Sequence, residues 1–136
     1  MTHELDPTLI EAPSALQTHL GYRLTGWTLG FARVEIPLAP YLMNRQGLPH
    51  GGIHATLLDT AMGYAGCYTG DPARPQMALT LSLTVNYLAQ AQGTRLIAEA
   101  RRTGGGKSTY FSGGTLRDDS GTLIATGSGV FRLRQT

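Results

Sequence analysis

The spacing of hydrophobic positions along this chain changes from region to region, and each change marks an element. Residues 14–20, SALQTHL, follow a proline and precede Gly21. Ser14 offers an N-cap oxygen and Gly21 a left-handed stop, so the spacing predicts a short helix there. Residues 22–38 predict two short strands around Gly26–Gly30, with Ala32, Val34, Ile36 and Leu38 on one side, ended by Pro37 and Pro40. Over 51–68 the period becomes helical, with Ile53, Leu57, Leu58, Ala61, Met62 and Ala65 recurring on one stripe. After a turn at Asp71-Pro72 the period is two. Met77, Leu79, Leu81, Leu83, Val85 and Tyr87 alternate with Ala78, Thr80, Ser82, Thr84, Asn86 and Leu88 over 77–88. Further strands are expected over 94–102, 107–117 and 122–133, the last two joined by the turn Asp118-Asp119-Ser120-Gly121.

Small residues refine this picture. Ala55, Asp59, Gly63 and Gly66 fall along one side of the long helix. A glycine inside a helix costs about 1 kcal/mol, so it is kept mostly where something approaches closely. Gly127 and Gly129 share the apolar face of the last strand with Leu123, Ala125, Phe131 and Leu133, which implies a curved strand or close helix packing. Late strands joined by short turns favour an antiparallel sheet, and one apolar helix against it makes an α+β layer. Such a sheet has open edges, which makes pairing with a second copy plausible.

At 136 residues the chain is expected to form one domain. Its ordinary apolar content and low charge argue against disorder, and no apolar run reaches bilayer length. The N-terminal MTHELDPTLIEAP lacks the basic-then-apolar order of a signal peptide, and a lone Cys67 excludes an internal disulfide, so a cytoplasmic protein is expected. The net charge of +2 is small. Late basic residues (Arg95, Arg101, Arg102, Lys107, Arg117, Arg132, Arg134) read as a solvated face or, for a few, as contacts to an anionic ligand such as a nucleotide phosphate. Aromatics do not interleave with them, so nucleic acid is not the expected partner, and neither is a membrane.

The chemistry concentrates in NRQGLPHGGIHATLLD, residues 44–59. A helix starting at Gly51 or Gly52 aims free N–H groups at whatever lies before it, and Asp59 follows about two turns later. Oxyanion donors and a carboxylate from one segment suggest acyl transfer by hydrolysis. Each residue also has a structural reading. Asp59 fits a polar residue bonded across an interface, Asn44 a turn brace, His50 a satisfied loop histidine, and Cys67 a small core residue. His50 and His54 are four apart but lack the glutamate of a zinc helix, so no metal is expected. Gly106-Lys107-Ser108 resembles the end of a phosphate-binding loop. Arg101 stands where that motif's first glycine belongs, and the segment lies between strands.

Asn44, Gly47, His50, Gly51 and Gly52, followed by Leu58-Asp59, resemble the motif of PaaI-like acyl-CoA thioesterases (the phenylacetate-degradation type) of the 4-hydroxybenzoyl-CoA thioesterase superfamily. The element order over about 15–134 is similar to their hotdog fold, five to six antiparallel strands wrapped around one long helix. The resemblance implies Asp59 as nucleophile or general base, the Gly51 N–H as oxyanion donor, and Asn44 orienting carbonyl or water. It places His50 at the thioester end and, by a loose alignment, Thr80 beside the attacking water. Strand parity puts Thr80 opposite the Leu79 face, so that role needs a bend or a partner subunit. CoA contacts are implied for Gly52, Lys107 and Ser108, and less closely for Arg101 and Arg102. No metal or other cofactor is implied, because a thiolate leaves readily. The implied assembly is a homodimer or homotetramer with sites between subunits. The implied substrate is a small aryl or arylacetyl-CoA, or a short-to-medium acyl-CoA, with Tyr64, Tyr68, Met62 and Met77 as acyl-pocket candidates. Two other functions fit the same residues: a hotdog hydratase or dehydratase using His50 with Asp59, and a non-catalytic acyl-CoA-binding protein.

Overall fold

A computed structural model describes residues 3–134. Helix α1 spans Ala15–Leu20. The Ser14 hydroxyl accepts from the Gln17 N–H, and Gly21 closes the helix at φ 91°. Strands β1 (Arg23–Thr28) and β2 (Phe31–Pro37) form a hairpin, and helix α2 (Gly51–Ala65) follows. Strands β3 (Ala78–Tyr87), β4 (Arg95–Gly105), β5 (Thr109–Asp118) and β6 (Leu123–Leu133) complete the chain. Short 3-10 turns at Pro7–Leu9 and Pro40–Leu42 flank the first hairpin; Pro40 ends regular pairing as expected. All six strands join one sheet in the order β1-β2-β4-β5-β6-β3, with every pairing antiparallel. This is the α+β hotdog arrangement, with α2 against one curved sheet.

The middle strands carry small residues beneath the helix. Ala32, Ala98, Ala100 and Ala125 are buried there, and the helix presses Leu57, Leu58, Ala61, Met62 and Ala65 onto them. A Cβ on Gly114 would sit 3.2 Å from Leu58 Cδ2, and one on Gly127 would sit 3.3 Å from Met62 Cε. The expected close packing at Gly127 is therefore present. Each large aliphatic side chain buried in this layer stabilises the fold by about 1.5–3 kcal/mol. Met62 lies in this layer, fully buried, so it is a core residue and not part of an acyl pocket.

Three expectations need correction. First, α2 ends at Ala65, not residue 68. Its last carbonyls are taken by side chains of the sheet: Ser112 Oγ donates to Met62 O (3.0 Å), Tyr110 Oη to Gly63 O (2.6 Å) and Trp27 Nε1 to Tyr64 O (2.8 Å). The backbone tightens here as well: the Gly66 N–H donates to Gly63 O (3.3 Å) and the Cys67 N–H to Tyr64 O (3.0 Å), i+3 bonds that close the last turn. Gly66 must also be a glycine, because its Cβ position lies 2.0 Å from the Tyr110 ring. Second, β4 and β5 form a longer hairpin than expected, so Lys107 and Ser108 occupy its exposed tip and not a strand. Third, the alternation over 77–88 does not hold one face. A register shift between Thr80 and Ser82 makes Leu81 an extra residue against β6. Thr80 and Ala78 therefore face the helix before the bulge, and Leu83 and Val85 after it. This is the bend that a site role for Thr80 requires.

Candidate active site

The loop before α2 is braced from within. Asn44 Oδ1 accepts from the Gln46 N–H (2.9 Å) and the Leu48 N–H (3.2 Å), and the Asn44 N–H donates to Leu48 O (2.7 Å). These bonds fix the carboxamide so that its Nδ2 hydrogens are the free end, available as donors. His50 is the N-cap of α2: its Nδ1 accepts from the Gly52 N–H at 2.9 Å. The proton of the neutral ring is then on Nε2. Gly52 is thereby occupied, whereas the Gly51 N–H meets no acceptor among the described residues. Tyr87 Oη donates to Gly51 O (2.7 Å) and steadies the first turn from β3. His54 does not join His50 in a ligand pair. Its Nδ1 donates to His50 O (3.1 Å), and burial pushes its pKa below the ordinary value, partly offset by that bond.

Asp59 stands half-exposed two turns further on. Thr80 Oγ1 donates to its Oδ1 at 2.7 Å. The two residues line a cleft of about 300 Å³ together with Gly63, Tyr64, Met77 and Phe131. One carboxylate oxygen holds one hydrogen bond, so lone pairs remain to accept from a water or to attack a carbonyl. Cys67 also borders the cleft, but burial raises its thiol pKa, opposed by the Tyr110 hydroxyl 3.6 Å away, so it is a poor nucleophile. Tyr68 borders the neighbouring cavity instead.

The two ends of the motif do not meet within one chain. Gly51 and Asp59 are eight residues apart, which is about 12 Å of helix. Helix N–H groups point toward the N-terminus, so an oxyanion at Gly51 lies about 3 Å further from Asp59 still. Attack on a carbonyl held by such a donor spans at most roughly 7 Å from nucleophile to N–H. Proximity in sequence, which suggested a joint site, therefore separates the two groups along one rod.

The basic residues also divide. Arg101 lies over the Phe31 ring, 4.9 Å from its centroid. Arg102 lies over Tyr110 and donates to Gly104 O and Gly106 O, bracing the hairpin. Lys107 and Ser108 are exposed, and Lys107 has no ion-pair partner among the described residues. The tip is tied to the end of β6, where the Leu133 N–H donates to Ser108 O at 2.8 Å. Glu11 is the residue that the sequence did not single out. It enters the cleft from the N-terminal segment, 48 positions before Asp59, with no motif around it. Among the described residues no helix is long and apolar enough to cross a membrane.

The Thioesterase superfamily model matches residues 46–125. A Halobacterium salinarum protein with an inferred esterase name is 34% identical over 128 residues, covering 87% of this chain and 83% of its own. The Bacillus halodurans protein BH2602, crystallised with CoA, is 30% identical with a TM-score of 0.75, over 90% of this chain and 78% of that one. The E. coli PaaI protein, from the phenylacetic acid degradation operon, has a TM-score of 0.77 over 90% of this chain and 86% of that one. At 21% identity that likeness is one of fold.

Proposed function

This chain belongs to the thioesterase superfamily, and on that premise we propose that it hydrolyses an acyl-CoA to the free acid and CoA, with Asp59 activating the attack. The observation that carries this reading is the Asp59 carboxylate, held by Thr80 at 2.7 Å on the wall of a cleft while most of its lone pairs stay free. In one course Asp59 takes a proton from water as the water oxygen bonds to the carbonyl carbon. In the other its own oxygen bonds first, and water later cleaves the anhydride. In both, the tetrahedral centre collapses, the C–S bond breaks, and CoA thiolate departs and is protonated. Thr80 orients the carboxylate or the water. Asn44 Nδ2 and the Gly51 N–H are the donors for the carbonyl oxygen, and His50 holds the turn that presents them.

The separation along α2 supports a reading in which a second copy supplies those donors. The site is completed when the helix start of one protomer faces Asp59 of another, as in a homodimer or a pair of dimers. β3 supports this. It is a sheet edge, and Met77, Leu79, Leu81, Tyr87 and Leu88 are exposed along it. An apolar edge of this length is normally covered. Lys107 and Ser108, exposed at the hairpin tip, suit the CoA phosphates; Arg101 and Arg102 are already engaged. The cleft walls of Tyr64, Met77 and Phe131 suit a small aryl, arylacetyl or short acyl group.

The test is thiol release from aryl, arylacetyl, short, medium and long acyl-CoAs by wild type and Asp59→Asn. Wild type should turn over one acyl class, and Asp59→Asn should lose about 10²–10⁴ in rate with its fold and CoA affinity intact. Hydration of enoyl-CoA in place of thiol release would favour the hydratase reading. CoA binding without turnover, indifferent to Asp59, would favour a binding protein.

A further inference from the structure

Glu11 is a second carboxylate at the Asp59 cleft, and its position is built. Leu9 is buried in the core and Ser14 caps α1, which pins the segment on both sides of Glu11. Its Oε1 accepts from Tyr64 Oη at 3.2 Å. Burial raises the Tyr64 phenol pKa far above its ordinary value, so it remains a donor, and Glu11 adds to that shift. Glu11 Oε2 accepts from no described residue, and no cationic side chain among them pairs with the carboxylate. A second cavity, of about 390 Å³, adjoins the cleft. It is lined by Trp27, Tyr68, Pro72 and Pro75, and it shares Glu11, Cys67 and Met77 with the Asp59 cleft. Glu11 is thus a polar partition between two largely apolar chambers.

Resting on the thioesterase reading, we infer that Glu11 determines which acyl group is accepted. Its free oxygen selects an acyl group whose far end carries a hydrogen-bond donor, a hydroxyl or an amine. Its charge rejects acyl groups that end in a carboxylate. Its bulk and hydration close the way into the second chamber to plain acyl chains. A buried acceptor left without a donor opposes an analogue that lacks one, and like charges in a half-buried cleft oppose each other.

Charge, hydrogen bond and bulk are separable. Glu11→Gln keeps the size and the acceptor for Tyr64 but loses the charge, and its free end becomes an amide donor that a ligand hydroxyl can still meet by accepting. Glu11→Ala loses both polar functions and most of the bulk, and joins the chambers. The experiment measures kcat/KM for sets of acyl-CoAs of equal length ending in methyl, hydroxyl or carboxylate, plus a longer plain acyl-CoA. Wild type should prefer hydroxyl over methyl by about tenfold or more. Glu11→Gln should admit the carboxylate series while keeping the hydroxyl preference. Glu11→Ala should lose that preference and gain on the longer plain chain. Equal ratios in all three proteins, within about twofold, would overturn the inference. Calorimetric binding of the same sets to Asp59→Asn and to the Asp59→Asn/Glu11→Ala pair keeps this separate from the hydrolase reading. Selectivity in binding without turnover by wild type would sink hydrolysis and leave the Glu11 role standing. Turnover without Glu11-dependent selectivity would do the reverse.

Discussion

A carboxylate with work to do keeps lone pairs in reserve, and the two aspartates Asp59 and Asp118 differ in this respect. Asp59 accepts one described hydrogen bond, from Thr80. Asp118 accepts from Gln92 N and Gly93 N on Oδ2, and from Ser120 N, Ser120 Oγ and Thr122 N on Oδ1. It is spent as a loop clamp. Burial opposes its ionisation, but these bonds outweigh burial and hold its pKa well below the ordinary carboxylate value. A depressed folded pKa means that the unfolded chain takes up the proton first. This stabilisation is therefore complete above the unfolded value of about 4 and is lost as the pH falls toward the folded one. Asp118→Ala should lower Tm by roughly 5–10 °C at neutral pH, leave thiol release per folded molecule unchanged, and flatten the fall of Tm with acid below about pH 4. Thermal melts over a pH series check this; an unchanged acid slope would contradict the clamp.

At the scale of elements, the end of α2 is set from outside the helix. Tyr110, Ser112 and Trp27 occupy three successive carbonyls, and the Tyr110 ring fills the space at Gly66. Tyr110→Phe should cost about 0.5–1.5 kcal/mol, the net worth of one such hydrogen bond, because Gly63 O keeps the Gly66 N–H, read as a shift in urea midpoint with unchanged m. The apolar period ran on toward residue 68 in the sequence; Gly66, the C-cap, is the local stop, and strands far along the chain enforce it. The same holds for β3. Its alternation is unbroken in composition, and the bulge at Leu81 exists only in the register with β6. What was legible was local: the capped α1, the Asn44–Asp59 motif, the six strands, and the small residues under α2. Glu11, the Thr80 bend and the separation of Gly51 from Asp59 depend on tertiary placement, so that part of the site's geometry was not legible from local pattern.

At the scale of the whole molecule, an exposed apolar edge and a half-built site point to the same second copy. Leu81 is 57% exposed on β3. Leu81→Lys places a charge on that edge and should shift the protein to monomer in sedimentation, with its circular dichroism retained and thiol release down by about 10² or more. An active monomer would contradict the shared site. The most direct measurement uses two inactive variants. Gly51→Pro removes the N–H donor at a position where proline is tolerated, because His50 already holds the extended φ −63°, ψ 135° that a following proline needs. Alone it should lose about 10²–10³ in kcat. Asp59→Asn lacks the carboxylate. Mixed chains that exchange at random should regain about a quarter of wild-type thiol release, because half the dimers pair the two variants and each such dimer holds one intact site. A mixture as inactive as its components, with exchange demonstrated, would place Asp59 and its oxyanion donor in one chain and contradict the account.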